Sequence, residues 1–285
     1  MPDGVILADW ITSRARGVTA FYDIDTPVTL AALESDRAGY LSAALIPRFD
    51  LYLTFTGGPV LNLIEELYGS PRARPLYCAA DLDIHSPREL PVKWALGYLG
   101  TYSADRQPAL ERLLLRPARR LADQQFVVAG TQYPAAVQWP ANVERIDHLP
   151  PDRHPTFYGQ QRYTLNVTRA DMVSAGFSPS VRLFEAAACG VPIISDIWPG
   201  LDSIFSPGEE IIAVEAPHQV IQVLQELPEE RRRAIAAAAR KRLLTSHTPE
   251  HRAKQLEEYY REVVAPGERR ARTEGARRTM ELQAE

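Results

Sequence analysis

Residues 165–196 read LNVTRADMVSAGFSPSVRLFEAAACGVPIISD. Their pattern predicts a strand that ends at Val167, a polar loop, a helix that begins near Ser180 and a second strand over 192–195. Gly190 follows the apolar run of this helix, which is typical of a helix end. Because the first amides of a helix lack partners within it, this order predicts an anion-binding crevice at the carboxyl ends of parallel strands.

Charged residues of both signs lie in or beside the predicted helix. Arg169 and Arg182 could each give a phosphate a two-pronged guanidinium contact. Glu185 stands next to Phe184 in an apolar run, where a carboxylate needs a partner. The hydroxyls of a ribose would supply one, and a structural ion pair with an arginine would supply another. Arg182 and Glu185, three residues apart on one helix face, could also pair with each other.

The flanking sequence continues the alternation of short apolar strands and helices that is typical of a parallel sheet. We expect one doubly wound domain over 91–247 and about half of a second α/β domain over 1–90. A helix over 249–264 is expected to join the smaller domain, and the charged segment 266–285 is predicted to be disordered. In the smaller domain the predicted strands are Val5–Ala8, Val18–Asp23, Leu51–Phe55 and Leu76–Ala79.

The composition limits the classes of function. The 285 residues include 32 Lys and Arg against 36 Asp and Glu, and this net charge of −4 gives no field that would attract nucleic acid. Cys78 and Cys189 lack the spacing of a metal site and are expected in the core. Among the six histidines only His247 and His251 have HxxxH spacing, and no HExxH motif occurs, so we expect no metal site. The absence of a signal peptide and of a membrane span predicts a cytoplasmic protein.

Several separated blocks, taken in order, resemble the glycosyltransferase family 1 signature of the CgeB-like glycosyltransferases, which have the GT-B fold. The resemblance rests on 165–196 and on the blocks YDIDTPVTL (22–30), FTGG (55–58), LGTY (99–102) and ISDIWPGL (194–201). It implies an α/β architecture of two Rossmann-like domains. Because 1–90 supply about four strands where about six are usual, we expect a complete C-terminal domain and a reduced N-terminal one.

The resemblance implies an enzyme that transfers a sugar from a nucleotide-diphosphate sugar, with UDP as the expected nucleotide, to an unknown acceptor without a metal ion or other cofactor. The residues implied for the nucleotide are the ribose-binding Glu185, the helix-start amides of Ser180 and Val181, and the base-facing backbone of His148 and Leu149. We expect Arg182 to offset negative charge on the departing diphosphate. Many retaining relatives have a glutamate where this chain has Phe177, so the stereochemical outcome is left open.

Other candidate residues follow predicted strand ends. Arg106 could bind phosphate or be a solvated surface arginine. Gly57 and Gly58 could let a ligand approach the backbone or could form a simple turn. Asp23 or Asp25 could deprotonate an acceptor hydroxyl, although Asp25 could equally cap a helix. The further expected contacts of the donor are Thr101, Tyr102, Thr168, Arg169 and Ser178.

A second class of function is kept beside the enzyme, namely a non-catalytic nucleotide-sugar-binding or scaffold protein derived from one. Hydrolysis of the donor, or transfer to a supplied acceptor, would distinguish the two classes. An open edge of the reduced sheet would invite pairing with a second chain, which predicts a homodimer.

Overall fold

The computed structural model describes residues 3–35 and 39–264. The chain divides into two compact units, one of residues 1–76 and 252–285 and the other of residues 77–251. The tail predicted to be disordered, 266–285, lies outside the described residues. In the described part of the chain, no helix combines the length and apolar character needed to cross a membrane.

The N-terminal unit is built around a small parallel sheet. In chain order it contains α1 (Gly4–Arg14), β1 (Ala20–Asp23), α2 (Thr26–Glu34), a 3-10 helix (Ala43–Arg48), β2 (Leu51–Thr54), α3 (Pro59–Glu66) and β3 (Ala73–Pro75). The strands are parallel in the order β1-β2-β3, with Ala20 beside Leu51 and Tyr52 beside Ala73.

The last described helix, Pro249–Val264, belongs to this unit from Arg252 onwards. Arg74 donates to Glu262 through Nε at 3.0 Å and through Nη2 at 2.8 Å. The Tyr259 hydroxyl donates to the carbonyl of Pro75 at 2.9 Å. These bonds attach the helix to β3, so residues far apart in sequence complete one unit.

Two predicted strands of this region are wrong. Residues 5–8 lie in α1, because the apolar residues continue at Trp10 and Ile11 with helical rather than alternating spacing. Leu76–Ala79 is not a strand, since β3 ends at Pro75. Tyr77 and Cys78 instead pack against the core of the C-terminal unit.

Asp23, at the end of β1, is buried and joins three elements of the N-terminal unit. Its carboxylate accepts hydrogen bonds from the Tyr52 hydroxyl at 2.6 Å, the Thr29 hydroxyl at 3.0 Å and the Asp25 N–H at 3.2 Å. Burial raises the pKa of Asp23 above its ordinary value despite these bonds. An ionised carboxylate at this position therefore costs folding stability.

The C-terminal unit contains the larger sheet. Its elements are β4 (Trp94–Leu99), α4 (Gln107–Leu110), a π-helical turn (Glu111–Leu115), α5 (Arg116–Arg120), β5 (Phe126–Ala129), β6 (Val143–Ile146), a 3-10 turn (Pro151–Arg153), α6 (His154–Gly159), β7 (Gln161–Asn166), α7 (Ala170–Ala175), α8 (Val181–Ala188), β8 (Ile193–Ser195), α9 (Leu201–Ile204), β9 (Ile212–Ala213), α10 (Pro217–Glu226) and α11 (Glu229–Ser246). The helix Pro249–Val264, described above, is α12.

The six strands are parallel in the order β6-β5-β4-β7-β8-β9. This is the strand order of a doubly wound nucleotide-binding sheet, and it confirms the predicted α/β fold. Successive residues Ile193 and Ile194 belong to different apolar clusters, because side chains alternate between the two faces of a sheet. The winding reverses between β4 and β7, so a crevice opens at their carboxyl ends.

The loops after β4 and β5 meet at two glycines. Gly130 has a φ of +147°, and a β-carbon there would overlap the carbonyl of Gly100 and lie 3.0 Å from the Thr101 nitrogen. The Gly100 N–H donates to the carbonyl of Ala129 at 2.8 Å. This close backbone approach fixes where the loop after β4 begins.

We expect Gly130→Ala to lower the free energy of unfolding by more than about 3 kcal/mol, because backbone strain and steric overlap add. Gly208→Ala is the matched control, since Gly208 has a φ of +82° but no atom within 4 Å of a β-carbon. The control should lose only about 1–2 kcal/mol from its backbone conformation. Urea unfolding measures both variants, and equal losses would contradict the steric account.

Asp23→Asn is expected to change how stability depends on pH. Because the pKa of Asp23 is raised in the folded chain, that chain binds more protons than the unfolded chain above about pH 3.8, and stability falls as the pH rises through this window. The asparagine variant lacks this loss, so its stability relative to the parent should improve between about pH 4.5 and about pH 7. Urea unfolding at both pH values measures this, and the exposed Asp202→Asn is the control. A stability difference between Asp23→Asn and the parent that is the same at both pH values would refute the prediction.

Candidate functional site

The crevice beside β4 is shaped by Arg182, in the first turn of α8. Its Nε donates to the carbonyl of Leu99, the last residue of β4. The guanidinium carbon lies 5.4 Å from the centre of the Tyr98 ring, and Nη1 lies 3.5 Å from the Ser180 hydroxyl oxygen. A β-carbon at Gly100 would lie 2.7 Å from Nη2, so glycine at this position leaves room for the guanidinium.

A second arginine, Arg106, lies close enough to Arg182 for their charges to interact. Its Nη2 donates to the carbonyl of Thr101 at 2.8 Å, while its Nε is buried without a hydrogen-bond partner. Burial lowers the pKa of Arg106, and the neighbouring charge of Arg182 lowers it further. Within residues 3–35 and 39–264, neither arginine forms an ion pair with a carboxylate. Two neighbouring guanidinium groups of this kind favour an anion.

The start of α8 adds to this positive potential. Ser180 is the N-cap residue, but its hydroxyl donates to Asn166 Oδ1 at 2.7 Å and makes no capping hydrogen bond. Val181, the first residue of the helix, is exposed. The first-turn amides therefore carry no side-chain cap, and they can bind an anion.

A buried polar network joins the ends of β7 and β8. Asp196 accepts a hydrogen bond from the Thr168 N–H at 2.8 Å and another from the Thr168 hydroxyl at 2.9 Å. The Asn166 amide donates to the Ser195 hydroxyl at 3.0 Å. Burial raises the pKa of Asp196. Thr168, predicted as a donor contact, uses both of these polar groups within the chain and holds the loop after β7 in place.

Glu185, predicted to need a partner, has several within the chain. The buried Tyr158 hydroxyl donates to Oε2 at 2.9 Å. Nδ1 of His154 lies 3.6 Å from Oε2, and Nε2 of His85 lies 3.8 Å from Oε1. Burial alone would raise the pKa of Glu185, but its interactions with His154, Tyr158 and His85 outweigh burial and lower it.

The Glu185 carboxylate is therefore held ionised, and its side chain is still 13% exposed. The alternative of a pair with an arginine is not realised in the described part of the chain, because both oxygens face the two histidines and Tyr158. Arg182, three residues earlier, turns instead to the end of β4.

The remaining predicted donor contacts differ in accessibility. Ser178 is buried, with its hydroxyl 3.0 Å from Met172 Sδ, and Nε of Arg169 lies 3.8 Å from an Asp105 oxygen. Tyr102 packs edge-on against Tyr133 at 5.5 Å between ring centres. Thr101 and His148 are exposed, and Leu149 is half-buried against the cluster of Trp94, Val127, Ala129 and Phe157.

Four predicted residues belong to the N-terminal unit. The carboxylate of Asp23 is buried and hydrogen-bonded, whereas Asp25 is exposed at the N-cap of α2 without capping it through its side chain. Gly57 is buried, and Gly58 is the N-cap residue of α3, with a φ of +63°. Of the two carboxylates, Asp25 is the more accessible to a ligand.

Sequence reasoning missed the neighbours of Glu185. His154 and Tyr158 lie four residues apart in α6, and His85 precedes β4. Both segments are distant in sequence from Glu185, so no local spacing relates them to it. The network of Asn166 and Asp196 was also missed, although polar residues at the ends of two adjacent strands were a readable signal.

Comparisons with known proteins give a family and a fold. A family model described as glycosyl transferase-like matches residues 106–258, more than half of the chain. No curated protein sequence matches. Among solved structures, HepE of Anabaena with UDP and glucose is 12% identical with a TM-score of 0.68, over 89% of this chain and 74% of that one.

Two further structures are similar. Sucrose-phosphate synthase of Thermosynechococcus elongatus is 15% identical with a TM-score of 0.64, over 86% of this chain and 68% of that one. The T4 phage BGT with its UDP-glucose substrate is 11% identical with a TM-score of 0.59, over 89% and 76% of the two chains. At these identities the likeness concerns the fold, which is the GT-B architecture. Since the family model covers more than half of its length, the chain belongs to the glycosyl transferase-like family.

Proposed function

We propose that this chain transfers a sugar from a nucleotide-diphosphate sugar to an acceptor, without a metal ion, as a CgeB-like glycosyltransferase with a reduced N-terminal domain. The observation that carries the proposal is Arg182 in the uncapped first turn of α8, together with Arg106, whose charge interacts with that of Arg182; neither forms a carboxylate ion pair among the described residues. A diphosphate has the charge and the number of acceptor oxygens that such donors require. We take UDP as the nucleotide, since HepE and the T4 phage enzyme were solved with UDP or UDP-glucose.

The nucleotide would extend from the diphosphate towards Glu185. An ionised carboxylate only accepts hydrogen bonds, and the two hydroxyls of a ribose only need to donate. The lowered pKa of Glu185 keeps this acceptor available at neutral pH. The exposed His148 and the neighbouring Leu149 follow β6 and are proposed to contact the base through their backbone.

In the proposed reaction the bond between the sugar and the diphosphate breaks as an acceptor oxygen bonds to the sugar carbon. Negative charge then grows on the departing diphosphate, where the fixed guanidinium of Arg182 would stabilise it. The acceptor proton would pass to a base, for which Asp25 is the candidate because Asp23 is buried and hydrogen-bonded. The cytoplasmic location and the homodimer remain expectations from the sequence.

One observation favours the non-catalytic alternative. Phe177 replaces the second glutamate of many retaining relatives, and it has a φ of +48°. A β-carbon at Gly200 would overlap its ring, so the two loops pack tightly. A chain that binds the nucleotide but transfers no sugar from any supplied UDP-sugar would support this alternative.

Glu185→Gln is expected to weaken UDP binding by about 1–3 kcal/mol, the range for a hydrogen bond to a charged group. Isothermal titration calorimetry measures the loss. Glu226→Gln, on the exposed face of α10, is the matched control and should bind UDP like the parent. Unchanged affinity in Glu185→Gln would remove the ribose assignment.

Arg182→Lys should slow sugar transfer by at least about tenfold while weakening UDP binding less, because a point charge does not reproduce the planar fork of donors. Arg240→Lys is the control, since Nε of Arg240 also donates to a backbone carbonyl, that of Ala188 at 3.3 Å. Both variants should lose similar thermal stability. Turnover near that of the parent in Arg182→Lys would end its catalytic assignment.

A further inference from the structure

Three side chains from separate parts of the C-terminal unit converge on one point. His85 precedes β4, His154 begins α6 and Glu185 lies in α8. One donor atom of each lies within 4.8 Å of the other two. All three side chains are largely buried, and His85 is only 9% exposed.

The hydrogen bonds around this point leave two ring nitrogens without partners. Nδ1 of His85 lies 3.2 Å from the carbonyl of Asp81, which can only accept, so Nδ1 carries the proton. In the neutral ring, Nε2 then presents a lone pair to the Glu185 carboxylate, and it makes no hydrogen bond. Nδ1 of His154 is likewise buried without a hydrogen-bond partner. A proton shared with the carboxylate, or a metal ion between the three groups, would satisfy these nitrogens.

We propose that His85, His154 and Glu185 bind a divalent transition-metal ion of the Zn²⁺ type. Two imidazole nitrogens and one carboxylate oxygen are a donor set suited to such ions, and not to Mg²⁺ or Ca²⁺. In a tetrahedral zinc site, bonds of about 2.1 Å separate the ligand atoms by about 3.4 Å. The separations of 3.6 and 3.8 Å run from the two histidines to different oxygens of Glu185, and one donor atom of each residue lies within 4.8 Å of the other two. Side-chain rotations would bring the three donors to the closer spacing of a metal site.

The surroundings of the site support metal binding. The Asp81 carbonyl orients the His85 ring, and the Tyr158 hydroxyl orients the Glu185 carboxylate. Outer hydrogen bonds of this kind accompany metal-bound histidines and carboxylates. The Cys189 thiol is not among the donor atoms that converge at this point, so it lies outside the donor set. The partly exposed edge of His154 gives an ion and a water ligand access.

The metal site has one consequence for the nucleotide, and this consequence alone rests on the proposed function. Glu185 cannot give both oxygens to a ribose while it coordinates an ion. Bound Zn²⁺ would therefore compete with the nucleotide and would not assist sugar transfer.

The test is calorimetric titration of the full chain, free of any affinity tag, with ZnCl2 in the absence of nucleotide. The parent should bind one Zn²⁺ per chain, and His85→Ala and His154→Ala should each bind it at least about tenfold more weakly. His218→Ala, which removes an exposed histidine of α10, is the control and should bind like the parent. Thermal unfolding of each variant verifies that it is folded.

A second measurement needs no variant. Co²⁺ added to the parent should give the intense visible absorption of a four-coordinate site, saturating at one ion per chain. The proposal would be overturned if the parent bound no Zn²⁺ at micromolar concentrations, or if His85→Ala and His154→Ala bound it as tightly as the parent. A loss of affinity in His218→Ala as large as in these two variants would also overturn it. Because no nucleotide is present, failure here is distinguishable from failure of the UDP experiments.

Discussion

The reversal of winding between β4 and β7 is the constraint on which the rest of the site depends. In a doubly wound sheet, the loops that follow these two strands leave in opposite directions and cannot cover each other. The gap is bounded by Gly100 after β4 and by the start of α8 after β7. Arg182 spans it by donating from α8 to the carbonyl of Leu99. Helix start, guanidinium and strand end thus meet at the switch point, where we propose that the diphosphate binds.

The charges around this surface are placed before any ligand arrives, and this has a cost. A buried arginine or carboxylate loses hydration. Burial accordingly lowers the pKa of Arg106 and, taken alone, would raise the pKa of Glu185. The chain offsets part of this loss with backbone carbonyls for the arginines and with a tyrosine and two histidines for the glutamate. Groups fixed in this way need little rearrangement when a charged ligand binds.

Local patterns predicted most of the C-terminal unit and less of the rest. The helix over 181–189 and the strand over 192–195 were readable because apolar runs, Gly190 and the polar loop agree with one another. The apolar run at 5–8 was misread, because four residues do not distinguish a strand from a helix turn. The meeting of His85 and His154 at Glu185 had no local signal, because only the packing of the fold brings them together.

The most direct test of the account is a crystal structure of the chain with UDP. We expect the diphosphate within hydrogen-bond distance of Arg106, Arg182 and the first amides of α8, with the ribose hydroxyls on Glu185. That arrangement would join the switch point of the sheet to the proposed chemistry. UDP bound elsewhere, or a ribose that leaves Glu185 facing only Tyr158 and the two histidines, would contradict the central claim.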